Sequence, residues 1–287
     1  MKSPVAAISL MVLALFSCRQ KPAQQTQAKP IAITNNGVNI AYFDTGKGDT
    51  TLLFVHGWAI NRSYWTNQVA YFKNKYRVIT IDMPGFGESG KNRKDWSTAA
   101  YGRDIDSVLA KLDLKKVVVI GHSMAGDIVL QAAADNPGRV IGLVGVDNFK
   151  GVGIEPTAAD IANFKKAIGE MKHNFQKVAA QYFNEDLFSK NTPDSIKKRI
   201  LADVAKVDTT VAVASMEDQD FKEVPALKRA NKKLYLISSD VTPTDTTELV
   251  KQKLPYNIQY IHGVGHYPMV ETPREFNADL ERVLKQL

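Results

Sequence analysis

The stretch Val117-Val-Val-Ile-Gly-His-Ser-Met-Ala-Gly126 decides how this chain is organised. Its β-branched residues predict a buried strand, and the small residues around the serine predict a tight turn into a helix. Such a turn places a serine hydroxyl at the carboxyl edge of a sheet, with the N-terminus of the next helix directed towards it. Ser123 is therefore a candidate nucleophile, and the alternative is a serine that only caps the helix.

Apolar runs and helical patterns alternate on both sides of this stretch. An alternation of strands and helices predicts βαβ units and a mostly parallel sheet with helices on both faces, an α/β fold. Ligands of such sheets bind at the carboxyl ends of the strands. The predicted strands are 51–55, 78–81, 117–120, 140–146, 234–237 and 258–261, after an opening hairpin at 31–43; the predicted helices are 64–72, 97–112, 124–135, 246–254 and one from about 272.

The alternation stops between residues 150 and 230, where the pattern is helical. Thr157-Ala-Ala-Asp160 is a capping-box sequence, and Thr192-Pro193 predicts a second helix start. Between them large apolar residues recur at steps of three and four. We expect a helical lid, inserted after the sixth strand, whose apolar face covers the top of the sheet. That face comprises Ile161, Phe164, Ile168, Met171, Phe175, Val178 and Tyr182.

The N-terminus predicts export rather than folded structure. Lys2 precedes an apolar run at 5–16 that is too short to span a bilayer, so 1–17 resembles a signal peptide. Leu15-Phe16-Ser17-Cys18 resembles a bacterial lipobox, which makes Cys18 the expected lipidated residue; an ordinary signal peptide is the alternative. We therefore expect a lipoprotein anchored in the cell envelope, on the periplasmic or outer-membrane side, with 18–30 as a flexible tether and 31–287 as the folded domain.

Charge and cysteine content exclude several classes of protein. The single cysteine cannot form an intramolecular disulfide, and the formal charge of +7 is spread along the chain. No arginine-rich block is present, so no nucleic-acid partner is expected. No histidine, cysteine or carboxylate spacing fits a metal site, and no cofactor is expected. Gly85-Phe-Gly87-Glu-Ser-Gly90 matches a dinucleotide motif, but polar residues follow instead of a helix, so we set that interpretation aside.

Candidate site residues follow separate predicted strands. His56-Gly57-Trp58 comes after residue 55, Asp240 after residue 237, and His266 after residue 261. A serine needs an imidazole base, and the base needs a carboxylate to hold its tautomer. The backbone amides of Trp58 and Met124 are candidates for an oxyanion hole.

With these residues, the sequence resembles the α/β-hydrolase family over about 31–150 and 230–287. The resemblance rests on Phe54-Val-His-Gly57-Trp58, Asp82-Met-Pro-Gly85-Phe-Gly87-Glu-Ser89, Gly121-His-Ser123 and Gly265-His266. It implies a Ser123 nucleophile, a His266 base and an oxyanion hole from the amides of Trp58 and Met124. It also implies that the enzyme cleaves a small acyl substrate such as an ester. The alternative is a ligand-binding or sensory protein on the same fold.

Two departures from the family pattern affect the predicted site. Ala125 stands where the family usually has glycine, and we expect its methyl group to be accommodated. Asp240 is the expected acid, although its loop is one residue shorter than usual; Asp147, after the sixth strand, and Asp245 are the alternatives.

The remaining histidines are expected to be structural or solvated. His56 is expected to be buried, and His122 to point away from the site. His262 is expected to be structural, and His173 to lie on a solvated helix face.

Overall fold

A computed structural model describes residues 31–218 and 220–287. The predicted signal peptide, Cys18 and the tether lie outside the described residues. No helix in the described part of the chain is long and apolar enough to cross a membrane.

In the described residues, eight strands form a single sheet in the order β1-β2-β4-β3-β5-β6-β7-β8. The first two strands form the predicted hairpin, β2 runs antiparallel to β4, and neighbouring strands from β4 to β8 are parallel. The α/β fold expected from the sequence is therefore confirmed. The strands are β1 Ile31–Asn35, β2 Val38–Asp44, β3 Thr51–Val55, β4 Arg77–Ile81, β5 Val117–His122, β6 Val140–Val146, β7 Leu234–Ser239 and β8 Tyr256–Ile261.

Ten α-helices occur in the described residues, with a 3-10 turn at Arg62–Trp65 and a π-helical turn at Phe183–Leu187. Ser97 caps α2 as predicted, because its side chain accepts a hydrogen bond from the amide of Ala100. The helices are α1 Thr66–Phe72, α2 Thr98–Lys111, α3 Ala125–Asp135, α4 Ala158–Tyr182, α5 Asp194–Val204, α6 Thr209–Ala214, α7 Glu223–Ala230, α8 Thr247–Lys251, α9 Pro268–Glu271 and α10 Pro273–Leu284.

The middle of the sheet is covered on both faces. Leu52 and Leu53 are adjacent in β3, so their side chains point to opposite faces, and both have 0% exposure. Every residue of β5 is also buried. Strands that are apolar on both faces are typical of a parallel sheet between two helical layers. This burial holds the strands in place. The candidate residues lie at the edge formed by the carboxyl ends of these strands.

Residues between β6 and β7 form the predicted helical insert. The capping box at Thr157 and Asp160 is present at the start of α4. The predicted apolar face is confirmed in its middle, where Met171 and Phe175 are buried, whereas Ile161 in the first turn is 42% exposed. The sequence did not reveal the non-helical backbone at Asn174, where φ is −145° and ψ is 57°.

The last helix of the predicted insert belongs to the layer that covers the sheet. Helix α7, although inside the predicted 150–230 segment, packs against α3. We therefore define the helical insert as the π-helical turn together with α4, α5 and α6. This division leaves α7 outside the insert, packed on α3, which in turn packs on β5 and β6.

Candidate active site

Ser123 lies on a strained turn between β5 and α3. Its φ of +53° is in the left-handed region that few residues other than glycine adopt. The turn is held by hydrogen bonds from the amide of Ser123 to the carbonyl of Val146 (3.0 Å) and from the amide of Gly126 to the carbonyl of Ser123 (2.8 Å). A Cβ atom on Gly121 would lie 2.3 Å from the carbonyl oxygen of Ala125. The turn therefore needs glycine at residue 121.

The alanine at residue 125 is accommodated, as expected. Ala125 is fully buried at the start of α3. A close approach falls instead on the next residue, Gly126, where a Cβ atom would lie 2.3 Å from Nδ2 of Asn148. That amide nitrogen donates to the carbonyls of Gly121 (2.8 Å) and Ser123 (3.2 Å). Asn148, which the sequence did not single out, therefore ties the serine turn to the end of β6.

His266 is hydrogen bonded to Asp147, at the end of β6. The distance from Nδ1 of His266 to Oδ2 of Asp147 is 2.6 Å. Asp147 is 4% exposed and its other oxygen accepts hydrogen bonds from Ser239, through both the amide (2.8 Å) and the hydroxyl (3.0 Å), and from Lys150 (2.7 Å). Burial alone would raise the pKa of Asp147, but the His266 hydrogen bond and the Lys150 charge hold it well below its usual range.

Asp240, the acid expected from the sequence, is not the partner of His266. Its carboxylate accepts instead from Nδ1 of His262 (2.9 Å) and the amide of Gly263 (3.3 Å), on an exposed surface. The cause is the length of β7, which continues to Ser239, two residues beyond its predicted end. Since Val146 pairs with Ile237, Asp240 lies two residues farther along than Asp147, and the expectation that Asp240 is the acid was wrong.

Asp147 lies closer to the sheet than Asp240, because it directly follows Val146, the residue paired with Ile237 of β7. Its amide donates to the carbonyl of Ile237 (3.0 Å), and its φ of +47° turns the chain at the sheet edge. The third candidate acid, Asp245, accepts from the amide of Thr247 at the start of α8. Of the three carboxylates considered from sequence, the structure therefore brings the second choice, Asp147, to the histidine.

The loop after β3 runs directly beside the serine turn. A Cβ atom on Gly57 would lie 2.5 Å from Nδ1 of His122 and 3.0 Å from Cβ of Ser123. Within residues 31–218 and 220–287, no carbonyl or side chain accepts a hydrogen bond from the amides of Trp58 or Met124. The two amides thus remain the candidates for stabilising an oxyanion near Ser123.

The other histidines differ in their surroundings. His56 is fully buried, as expected. Its Nε2 accepts a hydrogen bond from the amide of Met83 (3.0 Å), and its Nδ1 lies 2.8 Å from the carbonyl oxygen of Gly57. His173 is exposed, as expected. His122, by contrast, does not point away: its ring centroid lies 4.7 Å from that of His266. The segment after β8 packs on the ring, since Nε2 of His122 lies 2.8 Å from the carbonyl oxygen of His266.

Ser123 and His266 line the same cavity, whose volume is about 230 Å³. One part of its wall is aromatic: Trp58 packs against Phe183 and Phe175 of the helical insert, with centroid distances of 5.9 and 5.8 Å. Trp58 also donates from Nε1 to the carbonyl of Ala212 in α6 (2.8 Å). The lining residues are Trp58, Thr98, His122, Ser123, Met124, Asp127, Tyr182, Phe183, Leu187, Ser215, Met216, Asp218, His266 and Tyr267.

Asp127 gives another part of the wall an acidic character. Burial, together with the neighbouring carboxylates of Glu223 and Asp218, raises the pKa of Asp127 to about 8. Burial also raises the pKa of Glu223. The proximity of two carboxyl groups with raised pKa values favours a shared proton at neutral pH. Sequence reasoning missed the pair because an aspartate in a first helical turn is ordinary and Glu223 is distant in the chain.

The segment Gly85-Phe-Gly87-Glu-Ser-Gly90 packs against the carboxylate of Asp82, and no helix begins at its glycines. A Cβ atom on Gly87 would lie 2.2 Å from Cγ of Asp82. Asp82 accepts hydrogen bonds from the amides of Arg62 (2.7 Å) and Glu88 (2.9 Å). Helix α2 begins only at Thr98, so the segment lacks the strand-glycine-helix geometry of a dinucleotide site.

Comparison with known proteins agrees with this fold. A family model described as the alpha/beta hydrolase fold matches residues 50–226, more than half of the chain. The chain belongs to the α/β hydrolase fold family. Membership of this family supports a hydrolase.

Curated relatives match only part of the chain. A non-heme chloroperoxidase of Streptomyces lividans is 36% identical over 110 residues, 37% of this chain and 40% of that protein. An uncharacterized protein of Mycobacterium tuberculosis is 34% identical over 111 residues, 39% of this chain and 32% of that protein. The chain thus matches less than half the length of either relative.

Solved structures resemble the fold over most of the chain. A thermophilic esterase from Thermogutta terrifontis has a TM-score of 0.77 at 21% identity, covering 90% of this chain and 99% of that one. At this identity, the similarity establishes the fold.

Proposed function

We propose that the protein is a serine hydrolase that cleaves an ester or a related acyl compound through an acyl-enzyme on Ser123. One observation carries the proposal: His266, held by Asp147 at 2.6 Å, lines the same cavity as the serine on its strained turn. A nucleophile, a base and a carboxylate that orients the base are the groups that acyl transfer requires.

The first half of the reaction forms the acyl-enzyme. Nδ1 of His266 is hydrogen bonded to Asp147, so Nε2 is the nitrogen that accepts the proton of the Ser123 hydroxyl as its oxygen attacks the carbonyl carbon. The oxyanion accepts hydrogen bonds from the amides of Trp58 and Met124, each worth about 3–4 kcal/mol. As the carbon–oxygen bond to the leaving group breaks, His266 donates the proton to the departing oxygen.

The second half uses water. His266 removes a proton from a water molecule, whose oxygen attacks the acyl carbon and forms a second oxyanion in the same place. The bond to the Ser123 oxygen then breaks, and His266 returns the proton to that oxygen. The buried Asp147 stays ionised throughout and stabilises the imidazolium, in line with its depressed pKa.

The helical insert serves as the lid over this site. Phe183, in the π-helical turn, lines the cavity and contacts both Trp58 and Tyr267. The amide of His266 donates to the carbonyl of Leu187 in the same turn (2.8 Å), which links the base to the insert. A cavity of about 230 Å³ is small for a binding pocket, which favours substrates with short acyl groups.

Burst kinetics test the proposed function. With p-nitrophenyl acetate, we expect one nitrophenolate per protein to be released rapidly, followed by slower steady turnover. Ser123→Ala should abolish both phases while preserving the fold, as checked by circular dichroism. Tight ester binding without any release would instead support the ligand-binding alternative and overturn the proposal.

We further propose that residues 1–17 direct export and that Cys18 carries a lipid anchor, which places the enzyme at a membrane of the cell envelope. The proposal is supported by the apolar run and by the position of the only cysteine. Cells expressing the full chain should incorporate labelled palmitate into it, and Cys18→Ser should lose the label. A labelled Cys18→Ser protein, or an unlabelled full chain, would contradict the anchor.

A further inference from the structure

His122 occupies a buried position between the parts of the candidate active site. It precedes Ser123 directly and is 1% exposed. Its ring centroid lies 4.7 Å from that of His266 and 5.2 Å from that of Tyr267. The ring therefore touches the segment that carries the base, although the mechanism above assigns it no step.

One edge of the ring is hydrogen bonded to the main chain of the base. Nε2 of His122 lies 2.8 Å from the carbonyl oxygen of His266. A carbonyl oxygen only accepts, so Nε2 carries the proton and the neutral ring has its lone pair on Nδ1. Burial, reinforced by the charge of His266, lowers the pKa of His122 to about 3, so the ring stays neutral at working pH.

The opposite edge of the ring supports the loop after β3. In the described part of the chain, Nδ1 of His122 has no hydrogen-bond partner. A Cβ atom on Gly57 would lie 2.5 Å from this nitrogen and 3.0 Å from Cε1. The backbone immediately before Trp58 therefore packs directly on the imidazole.

We propose that His122 is a positioning residue that fixes the base segment and the oxyanion loop relative to Ser123. The hydrogen bond from Nε2 sets the main chain of His266, and the other ring edge sets the position of Gly57. Histidine serves both contacts, because its ring carries a donor at Nε2 and presents its other edge to Gly57. The inference rests on the proposed function, since positioning matters only if Ser123 reacts.

Two substitutions separate the donor from the ring. His122→Phe keeps a flat ring and removes the donor, whereas His122→Gln keeps a donor of similar reach. We expect His122→Phe to lower kcat for p-nitrophenyl acetate about 10- to 100-fold, because small misplacements of catalytic groups have effects of that size. KM should change less than about threefold, and His122→Gln should recover part of kcat, because it restores the donor but not the ring edge beside Gly57.

The outcomes distinguish the inference from the proposed function. Wild-type kcat in a folded His122→Phe protein would overturn the inference and leave acylation of Ser123 intact. No rescue by His122→Gln, or an effect confined to KM, would also overturn it. The absence of any burst in the wild-type protein would refute the proposed function itself.

A measurement on the wild-type protein is independent of whether the variants fold. Histidine labelled with ¹⁵N should show His122 as the neutral tautomer with its proton on Nε2, without titration between about pH 5 and 8. A proton on Nδ1, or titration within that range, would contradict the hydrogen bond on which the inference rests.

Discussion

Nδ1 of His266 lies 2.6 Å from Oδ2 of Asp147, and the second oxygen of that carboxylate accepts from Ser239 and Lys150. The two residues follow different strands, β8 and β6, which are separated in the sheet by β7. Ser239 is the last residue of that intervening strand. The carboxylate is thus held by Ser239 of β7 and by His266 after β8. This arrangement favours Asp147 as the group that orients the base.

Replacing the two candidate acids tests this relationship. Asp147→Asn should lower kcat/KM for p-nitrophenyl acetate by about 10³- to 10⁴-fold, because an amide does not stabilise the imidazolium and favours the wrong tautomer. Asp240→Asn is the matched control and should change kcat/KM less than about twofold, since Asp240 pairs with His262 at the surface. The reverse order of effects would refute the assignment.

The small residues of the serine turn should differ in tolerance. Gly126→Ala should destabilise the protein by about 1–3 kcal/mol, because its methyl group would lie 2.3 Å from Nδ2 of Asn148. Ala125→Gly should cost less than about 1 kcal/mol, the usual helix cost of glycine. Urea unfolding of both variants checks the prediction. Equal costs would show that the close contact is not at Gly126.

The half-buried carboxyl pair of Asp127 and Glu223 predicts a pH-dependent stability. The pKa of Asp127 is raised from 3.8 to about 8, so its contribution is fully present below about pH 4 and is lost as pH rises through about 8. Asp127→Asn removes the charged form. We therefore expect the variant to gain Tm relative to wild type between about pH 5 and 9, by about 3 °C or more.

Glu223→Gln provides a second test of that pair, because burial raises the pKa of Glu223 as well. It should shift the Tm profile in the same direction. A Tm difference between variant and wild type that is constant across this pH range would show that the two carboxyl groups do not share a proton.

Phe183 and Phe175 separate cavity size from general packing of the helical insert. Both rings are buried and contact Trp58. Of the two, only Phe183 lines the cavity. Phe183→Leu should raise the ratio of kcat/KM for octanoate over acetate esters about fivefold or more, because a smaller side chain enlarges the acyl pocket. Phe175→Leu should leave the ratio unchanged. Equal shifts in both variants would contradict the lid assignment.

Much of the fold could be predicted because its signals are local. The strand at Val117–His122 and the small residues after it predict the turn at Ser123 directly, and Ser97 marks the start of α2. The order of strands and helices then places His266 at the same sheet edge as the serine. These features depend on residue types within a few positions of one another.

The acid and the support of the base could not be predicted in this way. Because β7 extends two residues past its predicted end, Asp240 lies two residues farther along than Asp147, and strand propensity does not resolve a boundary of that length. The contact between His122 and the carbonyl of His266 depends on how a turn and a loop pack in three dimensions. The pairing of Asp127 with Glu223 likewise exists only once α3 and α7 are packed together.

Covalent labelling tests the central claim most directly. A fluorophosphonate should add one phosphonyl group to the wild-type protein, on the peptide that contains Ser123, as measured by mass spectrometry. The label should be absent in Ser123→Ala, slowed strongly in Asp147→Asn and unchanged in Asp240→Asn. A label that persists in Ser123→Ala, or a wild-type protein that is never labelled, would contradict the account.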